Sequence, residues 1–156
     1  MSRCDEDMPP VVYHVYAQST GTWQYVLADH TTSHCIVLDP VRDRSSADEA
    51  GVSTSAADAI ITLVKECGYL VDYILETHAN RPQCLSAAWY LWMQFSYSQG
   101  WPPELCDEAT VSGLQATWQR RYPAGSAFST TIRSGLYDGG TVAFGRLFLT
   151  CMRMPG

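Results

Sequence analysis

The sequence has no long apolar run and comparatively few charged residues. No stretch approaches the roughly 18 consecutive apolar residues of a membrane-spanning helix, and the acidic N-terminus lacks the apolar core of a secretory signal. Charged residues make up 17% of the chain and the net charge is -6, which argues against general binding of nucleic acid through its phosphates. We therefore predict a cytoplasmic protein without a membrane or nucleic-acid partner.

A disulfide framework is also missing from the cysteine pattern. The six cysteines show no CxxC pair and no tight spacing, and several stand in apolar segments, which favours reduced, buried thiols. What is present is ample core material, because 46% of the 156 residues are hydrophobic. This length and composition predict a single domain over residues 1–156, with a flexible N-terminus at residues 1–9.

Strand patterns and helix patterns alternate along the chain. The β-branched and aromatic residues predict strands at 11–17, 23–28, 35–38 and 70–75, and a final hairpin at 141–144 and 147–152. A helix is expected to begin at Ser55, with Asp58 forming a capping box, and to end at Gly68. The pattern predicts further helices at 84–99 and 111–121, and a polar loop at 42–53.

The strand at residues 70–75 ends in a segment that looks like an altered metal-binding motif. It reads Glu76-Thr77-His78-Ala79-Asn80-Arg81-Pro82-Gln83. This resembles the first metal loop of the metallo-β-lactamase fold, in its persulfide dioxygenase and glyoxalase II-like branch, where Thr-His-x-His-x-Asp-His is usual. Thr77 and His78 match, whereas Asn80, Pro82 and Gln83 stand where His, Asp and His are expected.

Other segments fit the same family in the right order. Ile36-Val-Leu-Asp-Pro-Val41 resembles its "Ile-Asp-Pro-Val" strand end, and Asp138-Gly-Gly-Thr-Val-Ala-Phe-Gly145 resembles a later turn. The resemblance implies an α/β fold, a truncated metallo-β-lactamase-like half-sandwich with a mixed β-sheet and helices on one face. It covers the N-terminal half of the family's domain, so it implies that the remaining metal ligands lie beyond Gly156. Half of the fold would leave one sheet face bare, from which we expect a homodimer with a sheet-to-sheet interface; the alternative is that the chain is a truncated piece of a longer protein.

The candidate site residues lie at and after the ends of the strands. Because ligands bind at the carboxyl ends of strands in open α/β sheets, His78 and Asp39 are the candidate catalytic pair. The alternative is that both are inherited scaffolding. Cys84, expected at a helix N-terminus, is either a nucleophile or a small core residue. The candidate binding residues are Asn80, Gln83, Cys84, Trp89 and Trp92, and the aromatic ones are alternatively plain core.

The altered motif lacks the convergent ligands that a catalytic metal needs, with His78 the single matching metal ligand. The leading hypothesis is therefore a metal-independent acid/base enzyme, a lyase, isomerase, cyclase or hydrolase, acting on a small apolar organic substrate without a cofactor. One alternative is a non-catalytic pseudoenzyme that binds a small molecule or a protein. Another is an iron-dependent persulfide dioxygenase or zinc thioester hydrolase completed by another chain.

Overall fold

A six-stranded mixed sheet organises the protein. A computed structural model describes residues 8–44, 52–78, 85–108 and 132–155. The strand order is β1-β2-β3-β6-β8-β9, with these bounds: β1 Val11–Ala17, β2 Thr22–Asp29, β3 His34–Leu38, β6 Leu70–Glu76, β8 Glu104–Glu108 and β9 Ile132–Leu136. β2 is antiparallel to its neighbours, and the pairs from β3 to β9 are parallel. All strands but β2 therefore end on the same side of the sheet. We name this row of strand ends the carboxyl edge, and the opposite row of strand ends the amino edge.

Two helices pack on one face of this sheet. Helix α1 spans Ser55–Cys67 and ends at Gly68, whose φ of +69° is the left-handed conformation that favours glycine. Helix α2 spans Ala88–Gln99 and ends at Gly100. The predicted α2 is confirmed, but the prediction that it begins at residue 84 is wrong, because the short strand β7, Leu85–Ser86, precedes it. Neither helix is long and apolar enough to cross a membrane, judged over the described residues.

Helix α1 begins where the sequence predicts, but with a different capping arrangement. The carboxylate of Asp43 accepts hydrogen bonds from the Ala56 N–H at 2.5 Å and the Ser55 hydroxyl at 2.7 Å. Asp58 does not complete a capping box with Ser55; it accepts the Thr54 hydroxyl at 2.9 Å and the Tyr90 hydroxyl at 2.6 Å. The first turn of α1 is thus held by an acid from another strand, and Tyr90 joins α2 to α1.

Two short strands interrupt the segment that the sequence predicts as a loop. β4, Val41–Arg44, lies between β5, Val52–Ser53, and β7 in a separate three-stranded sheet. Strands β8 and β9 were not predicted either, because their pairing partners lie far away in the sequence. The predicted helix at 111–121 lies outside the described residues.

The two faces of the main sheet have different covers. Helices α1 and α2 bury the face that carries Val26, Val37 and Ile74. The predicted final hairpin is confirmed as β10, Thr141–Phe144, and β11, Leu147–Thr150. Phe144 of this hairpin packs on Ile36, Leu75 and Cys106 of the opposite, outer face. The sequence led us to expect a bare outer face. The structure differs, because the hairpin covers the central strands of this face.

Candidate functional site

The candidate site lies at the carboxyl edge, where β3 and β6 end side by side. Asp39 follows β3 with a φ of +50°, a left-handed conformation that few residues other than glycine adopt and that aspartate tolerates. Its N–H donates to the Leu75 carbonyl oxygen at 2.8 Å, so the pairing with β6 continues past the end of β3. The turn at Asp39 then directs the carboxylate at the residues that follow β6.

Both carboxylate oxygens of Asp39 bind Thr77. Oδ1 accepts the Thr77 N–H at 2.7 Å, and Oδ2 accepts the Thr77 hydroxyl at 2.6 Å. The Asp39 side chain is 15% exposed, so these hydrogen bonds replace much of its hydration. The loop that leaves β6 is consequently fixed in position at Thr77.

Thr77 also connects the carboxylate to His78. Its Oγ1 lies 3.0 Å from His78 Nδ1, whereas Asp39 Oδ2 lies 3.6 Å from the same nitrogen. Because the Thr77 hydroxyl donates its proton to Asp39, its oxygen is left to accept the His78 Nδ1–H. The hydrogen-bond network thus assigns the imidazole the tautomer with a free lone pair on Nε2. We name this arrangement the Asp39–Thr77–His78 relay.

The imidazole at the end of the relay is open to solvent, with 60% of the His78 side chain exposed. The relay occupies Nδ1, so proton exchange at this ring would take place at Nε2. In chemical terms the arrangement is an oriented base supported by a carboxylate, the pattern of many acid/base sites.

The predicted site residues divide into three groups. Asp39 and His78 are brought together. Asn80, Gln83 and Cys84 lie outside the described residues, although Cys84 cannot open α2, which begins at Ala88. Trp89 and Trp92 stack on each other, with ring centroids 4.6 Å apart and an interplanar angle of 10°, and they pack against the helix-covered core.

The role of Thr77 as the connecting group was missed. The sequence singles out Thr77 as a motif match, but a hydroxyl between an acid and a histidine is visible only once β3 and β6 are adjacent. The one available signal was its position directly before His78 at a strand end.

The residues described at this edge do not fit a catalytic metal ion. Such an ion needs about three protein ligands, and the described part of the chain contains no group of three His, Cys, Asp or Glu that could hold one. His78 offers one nitrogen, and both oxygens of Asp39 are already bound by Thr77. By residue type, positions 80 and 83 add amides and position 82 adds no side-chain donor.

Curated proteins with similar sequences carry hydrolase names. No protein-family model matches it. It is 30% identical over 141 residues to a probable metallo-hydrolase of Burkholderia pseudomallei, covering 88% of this chain and 45% of that protein. It is 38% identical over 103 residues to a β-lactamase hydrolase-like protein of Agrobacterium fabrum, covering 65% of this chain and 22% of that protein. The chain thus spans less than half the length of these relatives.

Solved structures identify the fold. ETHE1 from Myxococcus xanthus superposes with a TM-score of 0.58 at 14% identity, covering 88% of this chain and 45% of that one. A metallo-β-lactamase from Staphylococcus aureus gives a TM-score of 0.64 at 12% identity, covering 96% and 36%. The protein therefore has the metallo-β-lactamase fold. The predicted resemblance is confirmed, and the partial coverage agrees with a chain that spans about half of that fold.

Proposed function

We propose that this protein carries a metal-independent acid/base site in which His78 transfers the proton and Asp39 and Thr77 position it. The observation that carries the proposal is the relay, which fixes the imidazole through Nδ1 on a side chain that is 60% exposed. A histidine that acts as a general base near neutral pH needs a ring held in one orientation and a second ring nitrogen that the substrate can reach.

The proposed chemistry follows from the direction of the hydrogen bonds. Nε2 takes a proton from a water molecule or from an acidic carbon of a small, apolar organic substrate. The imidazolium that forms is stabilised by the Asp39 carboxylate, whose charge acts through the Thr77 hydroxyl. Donation of the same proton to a leaving group or to a neighbouring carbon completes a hydrolysis, elimination or isomerisation. Hydrolysis is the first reaction to test, because the curated relatives are named hydrolases.

Substitution of His78, with and without a chelator, tests the catalytic role. Turnover would be measured with p-nitrophenyl acetate, an aryl thioester, and small ketones whose α-protons exchange in deuterated water. We expect His78→Asn to lower the rate by about 10²- to 10⁴-fold and EDTA to leave the wild-type rate unchanged. His30→Asn is the matched control, because His30 is an exposed histidine that follows β2 at the amino edge.

The other two hypotheses are separate outcomes of the same experiment. Loss of activity in EDTA together with stoichiometric iron or zinc would replace the proposal with the metal-dependent alternative, since an oriented histidine also suits a metal ligand. Absence of turnover, with a ligand that raises the melting temperature, would indicate a binding protein instead.

The relay itself can be tested without a substrate. Nitrogen-15 NMR of the imidazoles should show His78 with its proton on Nδ1 at alkaline pH, and Thr77→Val should shift it toward the Nε2–H form. An Nε2–H tautomer in the wild-type protein would contradict the assigned direction of the relay.

A further inference from the structure

Strand β1 is the outermost strand on one side of the main sheet among the described strands, and it lacks the features that usually prevent such a strand from pairing with another chain. Its pairing with β2 is unbroken from Val11 to Ala17. Its sequence, VVYHVYA, contains no Lys, Arg, Asp, Glu or Pro. Charges, prolines and bulges are devices by which edge strands avoid other strands, and β1 has none of them, so among the described residues this edge is open to pairing.

A groove runs beside the same edge. Its volume is about 600 Å³, and its lining includes Val15, Ala17 and Ser19 on the β1 side, Ser55, Ala56 and Ala59 on the α1 side, and the carboxylate-bearing Asp43. Most of these side chains are small, so the groove has room for the side chains of an added strand. An edge strand with a helix-lined groove alongside it is the geometry that recognises an extended segment by strand addition.

We propose that the occupant is β1 of a second copy of this chain, paired antiparallel about a two-fold axis at His14. His14 is the middle of the seven-residue strand, so this register pairs the full length of both strands. Val12 then lies opposite the partner's Tyr16. The partner's Val11 lies opposite Ala17, on the face that borders the groove.

The exposed face of β1 and β2 is complementary to itself in this register. Val12, Tyr16 and Trp23 are each about half exposed. The Tyr16 and Trp23 rings lie 4.7 Å apart, and the His14 and Trp23 rings lie 5.3 Å apart. Pairing at β1 brings Val12 of one copy beside this aromatic group of the other, on both sides of the axis.

The distribution of charged residues favours β1 as the segment through which two copies pair. The chain has a net charge of -6, so two copies repel each other over most approaches. β1 carries no Lys, Arg, Asp or Glu, so a second copy of this strand adds hydrogen bonds without opposing such charges. The proposed contact is edge to edge, which differs from the face-to-face dimer expected from the sequence.

The register predicts a charge-swap experiment. In Val12→Lys/Tyr16→Lys, each lysine faces a lysine of the partner, whereas in Val12→Lys/Tyr16→Glu each lysine faces a glutamate. Light scattering after gel filtration at high micromolar concentration should show a dimer for the wild type, a monomer for the first variant and a dimer for the second at low salt. Both positions are exposed, and circular dichroism checks that each variant folds.

The control lies on the hairpin. Phe148→Lys changes an exposed side chain of β11 and should leave the dimer intact. A dimer broken by Phe148→Lys but not by the double lysine variant would replace the proposal with a face-to-face contact. A monomeric wild type, or two double variants that behave alike, would overturn it. In a Cys67→Ser background, His14→Cys should also form a disulfide-linked dimer on mild oxidation, and no such link would refute the register.

Discussion

Two histidine–aspartate pairs lie at opposite edges of the same sheet, and they differ in how directly the two side chains meet. At the amino edge, His34 Nδ1 lies 2.8 and 2.9 Å from the two carboxylate oxygens of Asp72, joining β3 to β6. At the carboxyl edge, His78 Nδ1 lies 3.6 Å from Asp39 and makes its hydrogen bond to Thr77 instead. The first pair ties two strands together, whereas the second orients an exposed imidazole.

Each edge also has an aspartate that binds threonine, and the two differ in whether the contacts continue to an exposed side chain. At the amino edge, Asp29 is 4% exposed and accepts hydrogen bonds from Thr31, Thr32 and the Arg146 N–H. Burial alone would raise the pKa of Asp29, but the hydrogen bonds from Thr31, Arg146 and Thr32 outweigh it and hold the pKa below its usual range. Asp29 is closed off as a structural group, whereas the Asp39 contacts lead to a side chain in solvent. The two aspartates thus have similar hydrogen-bond partners but differ in whether those partners lead to an exposed side chain.

The largest expected loss of stability comes from the turn between β10 and β11, which packs against the amino edge. Gly145 has a φ of +57°, and a Cβ there would overlap the side chains of Thr32 and Asp29. We expect Gly145→Ala to lower the free energy of unfolding by about 3 kcal/mol. Gly139→Ala is the control, because Gly139 has a φ of +80° but no atom within 4 Å of the added Cβ; its cost should be about 1 kcal/mol. Urea unfolding measures both, and equal losses would mean that the turn is not packed as described.

Asp29→Asn should produce the next largest effect, and one that depends on pH. The folded-state pKa of Asp29 is lowered, so its stabilisation is present above the unfolded-state pKa of about 4 and is lost as the pH falls below that value. The substitution should cost about 2 kcal/mol at neutral pH and progressively less in acid. Unfolding of both proteins in urea from neutral to acidic pH measures the difference. A difference that stays constant with pH would contradict the role of the ionised carboxylate.

A matched pair of threonine substitutions compares the two edges directly. Because Thr77 connects Asp39 to His78, Thr77→Val should reduce turnover about tenfold. Thr31→Val should leave turnover unchanged and cost about 1 kcal/mol of stability, because the Thr31 hydroxyl lies 2.6 Å from Asp29. The substrate panel and urea unfolding give the two measurements. A Thr77→Val protein with full activity would show that the relay is structural, like its counterpart at the amino edge.

The direct ion pair should have the smallest effect. Both His34 and Asp72 are partly exposed, so solvent screens their attraction. A double-mutant cycle with His34→Gln and Asp72→Asn should give a coupling energy of about 0.5 kcal/mol, reduced in high salt. A coupling that is large and insensitive to salt would mean that this pair behaves as a buried one.

Local patterns predicted the hairpins and the end of α1 well, because those segments depend on neighbours in the chain. The β-branched run of β1, the Gly145-Arg146 turn and the stop at Gly68 are signals of this kind. β8 was missed because Glu104-Leu-Cys-Asp-Glu108 forms a strand only between the parallel neighbours β6 and β9. The start of α2 was misplaced for a similar reason, since β7 exists only by pairing with β4.

The sequence by itself determined the fold family and the two ends of the candidate site. The order of strand ends, turns and the Thr77-His78 motif is written along the chain, so Asp39 and His78 could be named without coordinates. Only the tertiary structure decided that Thr77 stands between them, that Asp29 is buried under the hairpin turn, and that β1 is the outermost strand of the main sheet among those described. These features depend on distances between residues far apart in sequence, which strand pairing and sheet packing set and which no local pattern encodes.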